Sequence, residues 1–409
     1  EMYSATLYKE DFLEVKRFLK PFSRKAVAAL ERGNKYLLEW KRECGEYTLL
    51  SNIDSFALNL FNVSHALEQL LEDRESVMNR PSTDSEIEEG KKKTLDFYFQ
   101  VRAFLEIYEE LDDSYEIYVQ HDREGRFALK LYCIHTADKI GQCLEKGRAS
   151  ILFSATLLPV QYYMELLSGK PEDYAVYAKS TFDPAKKKVL LGLDVSTKYT
   201  RRTPAEYQKI ASYIRQITDS RQGNYLVFFP SYKMMTDVRA YFEAEMQDDT
   251  EILEQSMHMS EAQREEFLEQ FQERESGTLI GFCVMGGIFG EGIDLKKDRL
   301  IGAIVVGPGL PQVCNEREIQ KQYYDRRDMD GFDHAYRYPG MNKVMQSAGR
   351  VIRTDEDTGV IVLLDERFGQ AQYRSSFPRE WADYETCTLR NVKEKLERFW
   401  KGCIVPDDK

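Results

Sequence analysis

Hydrophobic side chains recur at the helical period along the first part of the chain, up to about residue 111. One stripe contains Phe12, Val15 and Leu19, and a longer one runs over residues 56–71. This spacing places the apolar side chains on one face of a helix. The pattern therefore predicts an N-terminal all-helical region, and no chemistry is visible in it.

The spacing of apolar residues changes beyond this region. Apolar residues alternate with others over 115–119 and again over 127–131, on either side of a turn, which predicts a pair of neighbouring strands. Residues 149–153 form a continuous apolar run. Such a run is typical of a parallel strand buried on both faces.

Strand and helix patterns alternate in the rest of the chain. We expect strands at residues 189–194, 225–229, 278–284, 300–306 and 359–364, and helices at 204–219, 234–245 and 261–273. Strands separated by helices predict an α/β fold, with a parallel sheet that carries helices on both faces. Ligands of such sheets lie at the carboxyl ends of the strands, so we look for functional residues there.

Composition narrows the class of protein. The 409 residues are 42% hydrophobic and 31% charged, which fits two or three globular domains. No apolar run approaches the roughly 18 residues that span a membrane, so we expect a soluble chain without a membrane partner. Seven cysteines are scattered without a C-x-x-C pair, so we predict reduced thiols, a cytoplasmic location and no metal site.

The net charge of −12 argues against wholesale coating of nucleic acid, but it permits a local basic groove. Lys198, Arg201 and Arg202 form one of the short basic clusters that could contact phosphates. A cluster of this size is more often an ordinary solvated surface, so it carries little weight alone.

A glycine-rich segment follows the strand predicted at 278–284. Four glycines (Gly286, Gly287, Gly290 and Gly292) surround the carboxylates of Glu291 and Asp294. Glycine allows tight turns and close approach to a ligand, and the carboxylates offer acceptors. The spacing does not match the dinucleotide fingerprint G-x-G-x-x-G. An ordinary glycine-rich turn remains an equal alternative for this segment.

The segment 342–354 carries a sharper pattern. Gln346, Arg350 and Arg353 are spaced i, i+4 and i+7, which on a continuous helix places them on one face. Two guanidiniums and an amide aimed together suit a triphosphate during phosphoryl transfer. The alternative, a salt-bridged surface helix, usually spaces Glu with Lys and does not place a glycine such as Gly349 beside the arginines.

Several motifs in the same order resemble a known family. They are Ser154, Ala155, Thr156, Leu157 and Pro159; Phe229, Pro230, Ser231 and Tyr232; Glu291, Gly292 and Asp294; and Gln346, Gly349, Arg350 and Arg353, followed by Asp357, Gly359, Asp365, Glu366, Arg367 and Phe368. Over residues 132–378 they look like motifs III, IV, V and VI of the DinG/XPD-type superfamily-two DNA helicases.

The resemblance implies a domain organisation. Residues 1–113 would be a helical arch-like insert, residues 114–175 the end of a first RecA-like motor domain, and residues 176–409 a complete second RecA-like motor domain. The fold class expected from the resemblance is thus α/β, with a RecA-like parallel sheet plus an N-terminal all-helical, arch-like domain.

The resemblance also implies roles for individual residues. Ser154 and Thr156 would couple the nucleotide state to DNA, and Ser231 and Tyr232 would contact single-stranded DNA. The residues implied in nucleotide binding are Glu291, Gly292, Asp294, Gln346, Arg350 and Arg353. Among them, Gln346, Arg350 and Arg353 would be catalytic, with the two arginines facing the γ-phosphate.

Two motifs of the family are missing from the sequence. The chain contains no G-K-T/S Walker A loop with its preceding strand and no D-E-A-H sequence. It therefore looks like the part of such a helicase downstream of D-E-A-H, with the upstream part of the first motor domain as a missing partner. ATP and Mg²⁺ are implied for the intact protein only. The chain has no ligands for an iron–sulfur cluster, so a cluster elsewhere in the protein stays unknown.

Two classes of function follow. The leading hypothesis is the C-terminal part of an ATP-dependent DNA helicase that moves 5′ to 3′ on single-stranded DNA, with the isolated chain inactive as an ATPase. The alternative is a non-catalytic module with a helicase-like fold that binds nucleic acid or protein. A Rossmann-like nucleotide enzyme is disfavoured, because its phosphate fingerprint is missing. Neither the pathway, such as DNA repair, nor the choice of DNA over RNA follows from residue chemistry.

Overall fold

The computed structural model describes residues 3–170, 172–290 and 293–403. These residues form two compact units. The first takes the described part of Glu1–Ser150 together with Glu165–Gly169 and Cys314–Met329, and the second takes Ile151–Met164 and the described parts of Lys170–Val313 and Asp330–Lys409.

The helices and strands are numbered in chain order. The helices are α1 (Lys9–Leu19), α2 (Arg24–Glu43), α3 (Asp54–Glu72), α4 (Ser85–Glu109), α5 (Ala137–Leu144), α6 (Val160–Leu166), α7 (Pro204–Thr218), α8 (Tyr232–Glu243), α9 (Glu261–Glu269), α10 (Asn315–Asp325), α11 (Tyr338–Ala348), α12 (Ala371–Arg374) and α13 (Val392–Cys403). The strands are β1 (Ala5–Tyr8), β2 (Tyr47–Leu49), β3 (Tyr115–His121), β4 (Phe127–Cys133), β5 (Lys187–Gly192), β6 (Asn224–Phe229), β7 (Thr250–Glu254), β8 (Thr278–Val284), β9 (Gly302–Val306), β10 (Gly359–Leu364) and β11 (Glu385–Cys387).

Helices dominate the first unit, as the apolar stripes predicted. In α3 the buried positions include Phe56, Leu60, Val63 and Leu67, which recur every three or four residues and face the core. Rings from α1 and α4 meet in the same core, with the Phe12 and Phe97 centroids 4.9 Å apart. The predicted N-terminal helical region is therefore confirmed.

The same unit also contains a sheet, which the expectation of an all-helical region missed. Four antiparallel strands pair in the order β1-β4-β3-β2, so the predicted hairpin of β3 and β4 lies between two further strands. Leu7 of β1 and Val119 of β3 both pair with Leu129 of β4, and all three are buried. The outer strands have four and three residues, which is too short for alternation to be recognised in the sequence.

The second unit is built on a parallel sheet of seven strands in the order β11-β5-β10-β9-β6-β8-β7. Side chains of β10 alternate between its faces. Val362 and Leu364 pack in one core with α7, α8 and α13, whereas Ile361 and Leu363 pack in the other with α9 and α11. The predicted α/β fold, with helices on both faces of a parallel sheet, is confirmed.

Two edge strands of this sheet were not predicted, because they lack the continuous apolar runs of the central strands. β7 and β11 flank the sheet, and part of each remains accessible to solvent. Edge strands have a neighbour on one side only, so their sequences need not be apolar throughout.

The strand predicted at residues 149–153 is wrong. The run adopts no strand geometry, and Ile151 and Phe153 are 86% and 89% exposed. A buried strand must pair through its backbone with neighbours. Within the described residues no strand pairs with this run, so its apolar side chains stay at the surface.

The two compact units differ from the three segments predicted as domains. The hairpin predicted to begin the segment 114–175 lies in the first unit, whereas residues 151–164 lie in the second. Residues 314–329, inside the segment 176–409, complete the first unit. The assignment of the segments to an arch and two motor domains stays a prediction.

Among the helices that the structure describes, none is both long enough and apolar enough to cross a membrane.

A buried carboxylate closes the carboxyl end of β10. Asp365 is fully buried and accepts hydrogen bonds from the backbone N–H and the hydroxyl of Thr197, at 2.8 and 2.7 Å. Arg367 binds the same carboxylate through two nitrogens, at 2.7 and 2.9 Å. Burial alone would raise the pKa of Asp365, but Arg367 and Thr197 hold it below its ordinary value. The group ties the segment after β5 to the end of β10.

We predict that Asp365→Ala strongly destabilises the second unit. It leaves the largely buried Arg367 without its counter-charge, and breaking a buried pair from one side costs about 3–5 kcal/mol. Urea denaturation followed by fluorescence measures the loss. Glu394→Ala is the matched control, because Glu394 and Arg398 are exposed and such pairs contribute about 0–1 kcal/mol.

The pH dependence gives the prediction a second test. Because folding lowers the pKa of Asp365, its contribution is fully present above the unfolded value of about 3.9 and is lost as pH falls through the folded value. The parental chain should therefore lose more stability below pH 4 than Asp365→Ala. Equal losses in the two chains would contradict the assigned role.

Candidate functional site

The segments that carry the predicted chemistry follow the strands of one parallel sheet. Residues 230–232 follow β6, residues 285–290 follow β8, and residues 365–368 follow β10. Since these strands are parallel, their carboxyl ends meet at one edge of the sheet. The expectation that the candidate residues follow strand ends is met for these segments, and α11 crosses near them.

The predicted helix over residues 342–354 is interrupted. Helix α11 ends at Ala348, and the N–H of Gly349 closes its last turn on the carbonyl of Met345 at 2.8 Å. Arg350 and Arg353 therefore lie in a loop, and the predicted stripe of three side chains on one helix face is wrong. Glycine has a low helix propensity, and it ends helices well.

A buried aspartate shapes this loop, which we call the arginine loop (residues 349–357). The carboxylate of Asp357 accepts the backbone N–H groups of Arg353 and Thr354, both at 2.6 Å, and that of Lys297 at 2.7 Å. Burial alone would raise the pKa of Asp357, but these backbone donors hold it below its ordinary value. The ionised carboxylate replaces the helical hydrogen bonds that residues 353 and 354 would otherwise make.

Both arginines reach the glycine-rich segment. Arg350 donates from Nη2 to the carbonyl of Gly290, and Arg353 donates from Nη2 to the carbonyl of Ile293 at 3.0 Å. Arg350 also donates from Nε to the backbone carbonyl of Gln346 at 3.2 Å. The loop thus brings together the two constellations that the sequence singled out, although by a different geometry from the one predicted.

Three residues of the glycine-rich segment are predicted to contact a nucleotide. Glu291 and Gly292 lie outside the described residues, so their predicted roles stay predictions. Asp294 is largely exposed and forms an ion pair with Lys296 at 3.1 Å. Its predicted contact with a nucleotide also stays a prediction.

The turn after β8 requires glycine. Gly286 has φ +69°, and a Cβ there would lie 3.1 Å from Cδ and Cε of Lys343. The stem of Lys343 therefore covers this turn, one helical turn before Gln346. Sequence reasoning missed Lys343, because a single lysine on a helix gives no signal of what it covers.

Ser231 and Tyr232 are partly committed to local structure. The Ser231 hydroxyl caps α8 by accepting the N–H of Met234 at 3.3 Å. The Tyr232 hydroxyl accepts from Nε2 of Gln255 at 2.9 Å, while Oε1 of the buried Gln255 accepts the N–H of Val284. Gln255 thus joins the ends of β6 and β8, a role that the sequence did not indicate.

Ser154 and Thr156 lie in an exposed turn. Their hydroxyl oxygens are 3.2 Å apart, and the Ser154 hydroxyl also accepts the N–H of Thr156 at 3.2 Å. The predicted role in coupling stays a prediction. The next element along the chain is α6.

The basic cluster of Lys198, Arg201 and Arg202 lies after β5, beside the Asp365 group. Lys198 pairs with Glu366 at 3.0 Å, and Arg201 pairs with Glu206 at 3.1 Å. Lys198 and Arg201 remain 44% and 55% exposed, so both side chains are accessible to an anionic ligand.

Comparison with known proteins supports the family resemblance. Residues 214–384 match the model of the helicase C-terminal domain. The chain is 23% identical over 272 residues to a probable ATP-dependent helicase of Methanocaldococcus jannaschii, covering 62% of this chain and 40% of that protein. It is 24% identical over 298 residues to the ATP-dependent DNA helicase YoaA of Escherichia coli, covering 70% of this chain and 45% of that protein.

The fold is similar to that of solved XPD structures. The structure titled S. tokodaii Xpd4 matches with a TM-score of 0.56 and 14% identity, over 94% of this chain and 72% of that one. The resemblance to the DinG/XPD-type superfamily-two helicases is thereby confirmed. The chain spans less than half the length of the curated relatives it matches.

We predict that Asp357→Asn loosens the arginine loop. The amide keeps one acceptor oxygen but loses the charge, and weakening hydrogen bonds of a buried group costs about 1–3 kcal/mol. Hydrogen exchange should accelerate at the amides of Arg353 and Thr354. Asp355→Asn is the control, because Asp355 is exposed and lies in the same loop. Unchanged exchange at both amides would show that Asp357 does not hold the loop.

Proposed function

We propose that this chain provides the second motor domain and an arch-like region of an ATP-dependent DNA helicase. The carrying observation is that Arg350 and Arg353 both donate hydrogen bonds to carbonyls of the glycine-rich segment, at the carboxyl edge of the parallel sheet. The helicase would move 5′ to 3′ on single-stranded DNA and unwind duplex. The direction is taken from the family resemblance.

The chemistry of the arginine loop supports ATP as the nucleotide. Each guanidinium is permanently charged and carries several N–H donors, so it can bind carbonyls or phosphate oxygens. Arg350 and Arg353 would stabilise charge that gathers on the γ-phosphate during transfer, with Gln346 as a further donor. Among the described residues, no group of three or more His, Cys, Asp or Glu side chains is arranged to hold a metal ion.

An exposed apolar run supports a missing partner. Residues 151–153 have the composition of a buried strand, yet Ile151 and Phe153 are almost fully exposed. We propose that the upstream part of the first motor domain pairs with this run. That part would also supply the Walker A and D-E-A-H sequences, which position the phosphates and Mg²⁺. Without them, we expect the 409-residue chain to hydrolyse no ATP.

The carboxyl edge also supports nucleic-acid binding. Tyr232 offers a partly exposed ring for stacking, and Lys198 and Arg201 offer accessible charges. Single-stranded DNA would lie along this edge. The backbone contacts would be independent of sequence, because phosphates carry no base information.

We predict that Arg350→Ala and Arg353→Ala each reduce steady-state ATP turnover by about 10³- to 10⁵-fold in the protein that includes the upstream motifs. The physical reason is loss of charge stabilisation in the transition state. Arg398→Ala, an exposed arginine on α13, is the matched control and should retain parental turnover.

Thermal melting separates catalysis from stability in the same variants. Turnover near the parental level in both would exclude the catalytic role, and a collapse in melting temperature that matches the lost activity would make the arginines structural. No turnover in the parental protein would instead favour the alternative, a non-catalytic module that binds nucleic acid or protein.

We predict that the 409-residue chain binds single-stranded DNA weakly and with a steep dependence on salt. If Lys198, Arg201 and Arg202 neutralise about three phosphates, the logarithm of affinity should fall with the logarithm of salt with a slope of roughly −2. Fluorescence anisotropy measures both. Arg201→Ala should reduce the slope by about 0.7, whereas Arg398→Ala should leave it unchanged. Binding that is independent of salt, or no binding at low salt, would contradict the proposal.

A further inference from the structure

The short helix α6 is held against α11 by two tyrosines. None of its seven residues is fully buried, so it has little apolar surface to keep it in place. Asn342 donates from Nδ2 to the hydroxyl of Tyr163 at 2.8 Å. The Tyr162 ring centroid lies 4.7 Å from that of Tyr338 and 5.4 Å from that of His334. Thus α6 depends on specific contacts with the start of α11.

Helix α6 lies just after the exposed turn that contains Ser154 and Thr156. Three residues separate Thr156 from the first residue of α6, so the turn that contains Ser154 and Thr156 cannot move far without moving α6. A chain segment of that length spans at most about 10–14 Å. Tyr163 therefore limits where this turn can lie.

Helix α11, which α6 contacts, leads directly into the arginine loop. Asn342 and Gln346 are four residues apart in α11, and therefore lie on one face of the helix one turn apart. The carbonyl of Gln346 accepts Nε of Arg350, which also binds the carbonyl of Gly290. A continuous series of contacts thus runs from Tyr163 through Asn342 and α11 to Arg350.

Asn342 makes this series sensitive to a single hydroxyl. Its Oδ1 is buried and has no hydrogen-bond partner within the part of the chain that the structure describes. Removing the Tyr163 hydroxyl would therefore take away the hydrogen bond that joins this amide to α6. A buried amide left without a partner favours local opening.

We propose that Tyr163 is a positioning residue that links the turn at Ser154 and Thr156 to the arginine loop through Asn342. The link itself is a property of the fold, and its use in coupling nucleic-acid binding to ATP hydrolysis rests on the proposed function. Tyr163 contacts neither nucleotide nor DNA in this role. It fixes the position of groups that do.

Hydrogen exchange on the 409-residue chain tests the link without reference to ATP. We expect Tyr163→Phe to accelerate exchange about three- to tenfold in peptides covering 153–164 and 346–354, the effect of losing one neutral hydrogen bond. The double variant Tyr163→Phe/Asn342→Ala should exchange no faster at 346–354 than Asn342→Ala, because both changes remove the same contact. Acceleration confined to 160–164 would overturn the link.

The matched control is Tyr108→Phe. Its hydroxyl also takes part in one side-chain hydrogen bond, which it donates to Oδ1 of Asp54 at 2.6 Å, but it lies in the first unit. This variant should leave exchange at 346–354 at the parental rate. Acceleration there in the control would mean that the effect is a general loss of stability and would also overturn the link.

ATPase measurements on the protein with its upstream motifs test the use of the link. We expect Tyr163→Phe to lower DNA-stimulated turnover about three- to tenfold, with unstimulated turnover and KM for ATP within twofold of parental. Equal losses with and without DNA would contradict coupling. A parental protein without ATPase activity would refute the proposed function, while the exchange result would still decide whether the link exists.

Discussion

The arginine loop depends on one ionised carboxylate at the point where α11 gives way to β10. Asp357 is buried and accepts three backbone N–H groups, two from the arginine loop and one from the segment before β9. An ionised acceptor strengthens such bonds, since charge-assisted hydrogen bonds are about twice as strong as neutral ones. Asp357 therefore joins the segment before β9 to the arginine loop, which precedes β10. These bonds fix the position of the backbone from which Arg350 and Arg353 extend. Their side chains can then reach the glycine-rich segment.

The parallel sheet explains why chemistry concentrates at one edge. β6, β8, β9 and β10 run in the same direction and are almost wholly buried, so most polar side chains lie at or beyond the strand ends. Polar side chains form two hydrogen-bonded groups there. In one, the Asp365 carboxylate binds Arg367 and Thr197, and in the other Gln255 binds Tyr232 and the end of β8. These contacts hold the loops after the strands in place.

The amino-acid sequence was sufficient to predict the central strands of the parallel sheet. It was insufficient where local structure depends on hydrogen-bond partners that lie far apart along the chain. Continuous apolar runs identified β6, β8 and β10, because burial on both faces leaves little choice of residue. The same rule failed for residues 151–153, where composition fits a strand but no described strand offers a backbone partner. Helical spacing likewise failed beyond Ala348. The side chain of Asp357, nine residues further on, captures the N–H groups that helix continuation would need.

The arginine loop also shows how two arginines can meet the glycine-rich segment through a geometry that differs from the predicted one. Guanidiniums have long, flexible stems, so a loop can aim two of them at one segment as well as a helix face can. In this structure they bind neutral carbonyls of Gly290 and Ile293. A phosphate oxygen carries a formal charge and would compete effectively for the same donors. On the proposed function, exchange of one set of acceptors for the other would free the carbonyls of Gly290 and Ile293.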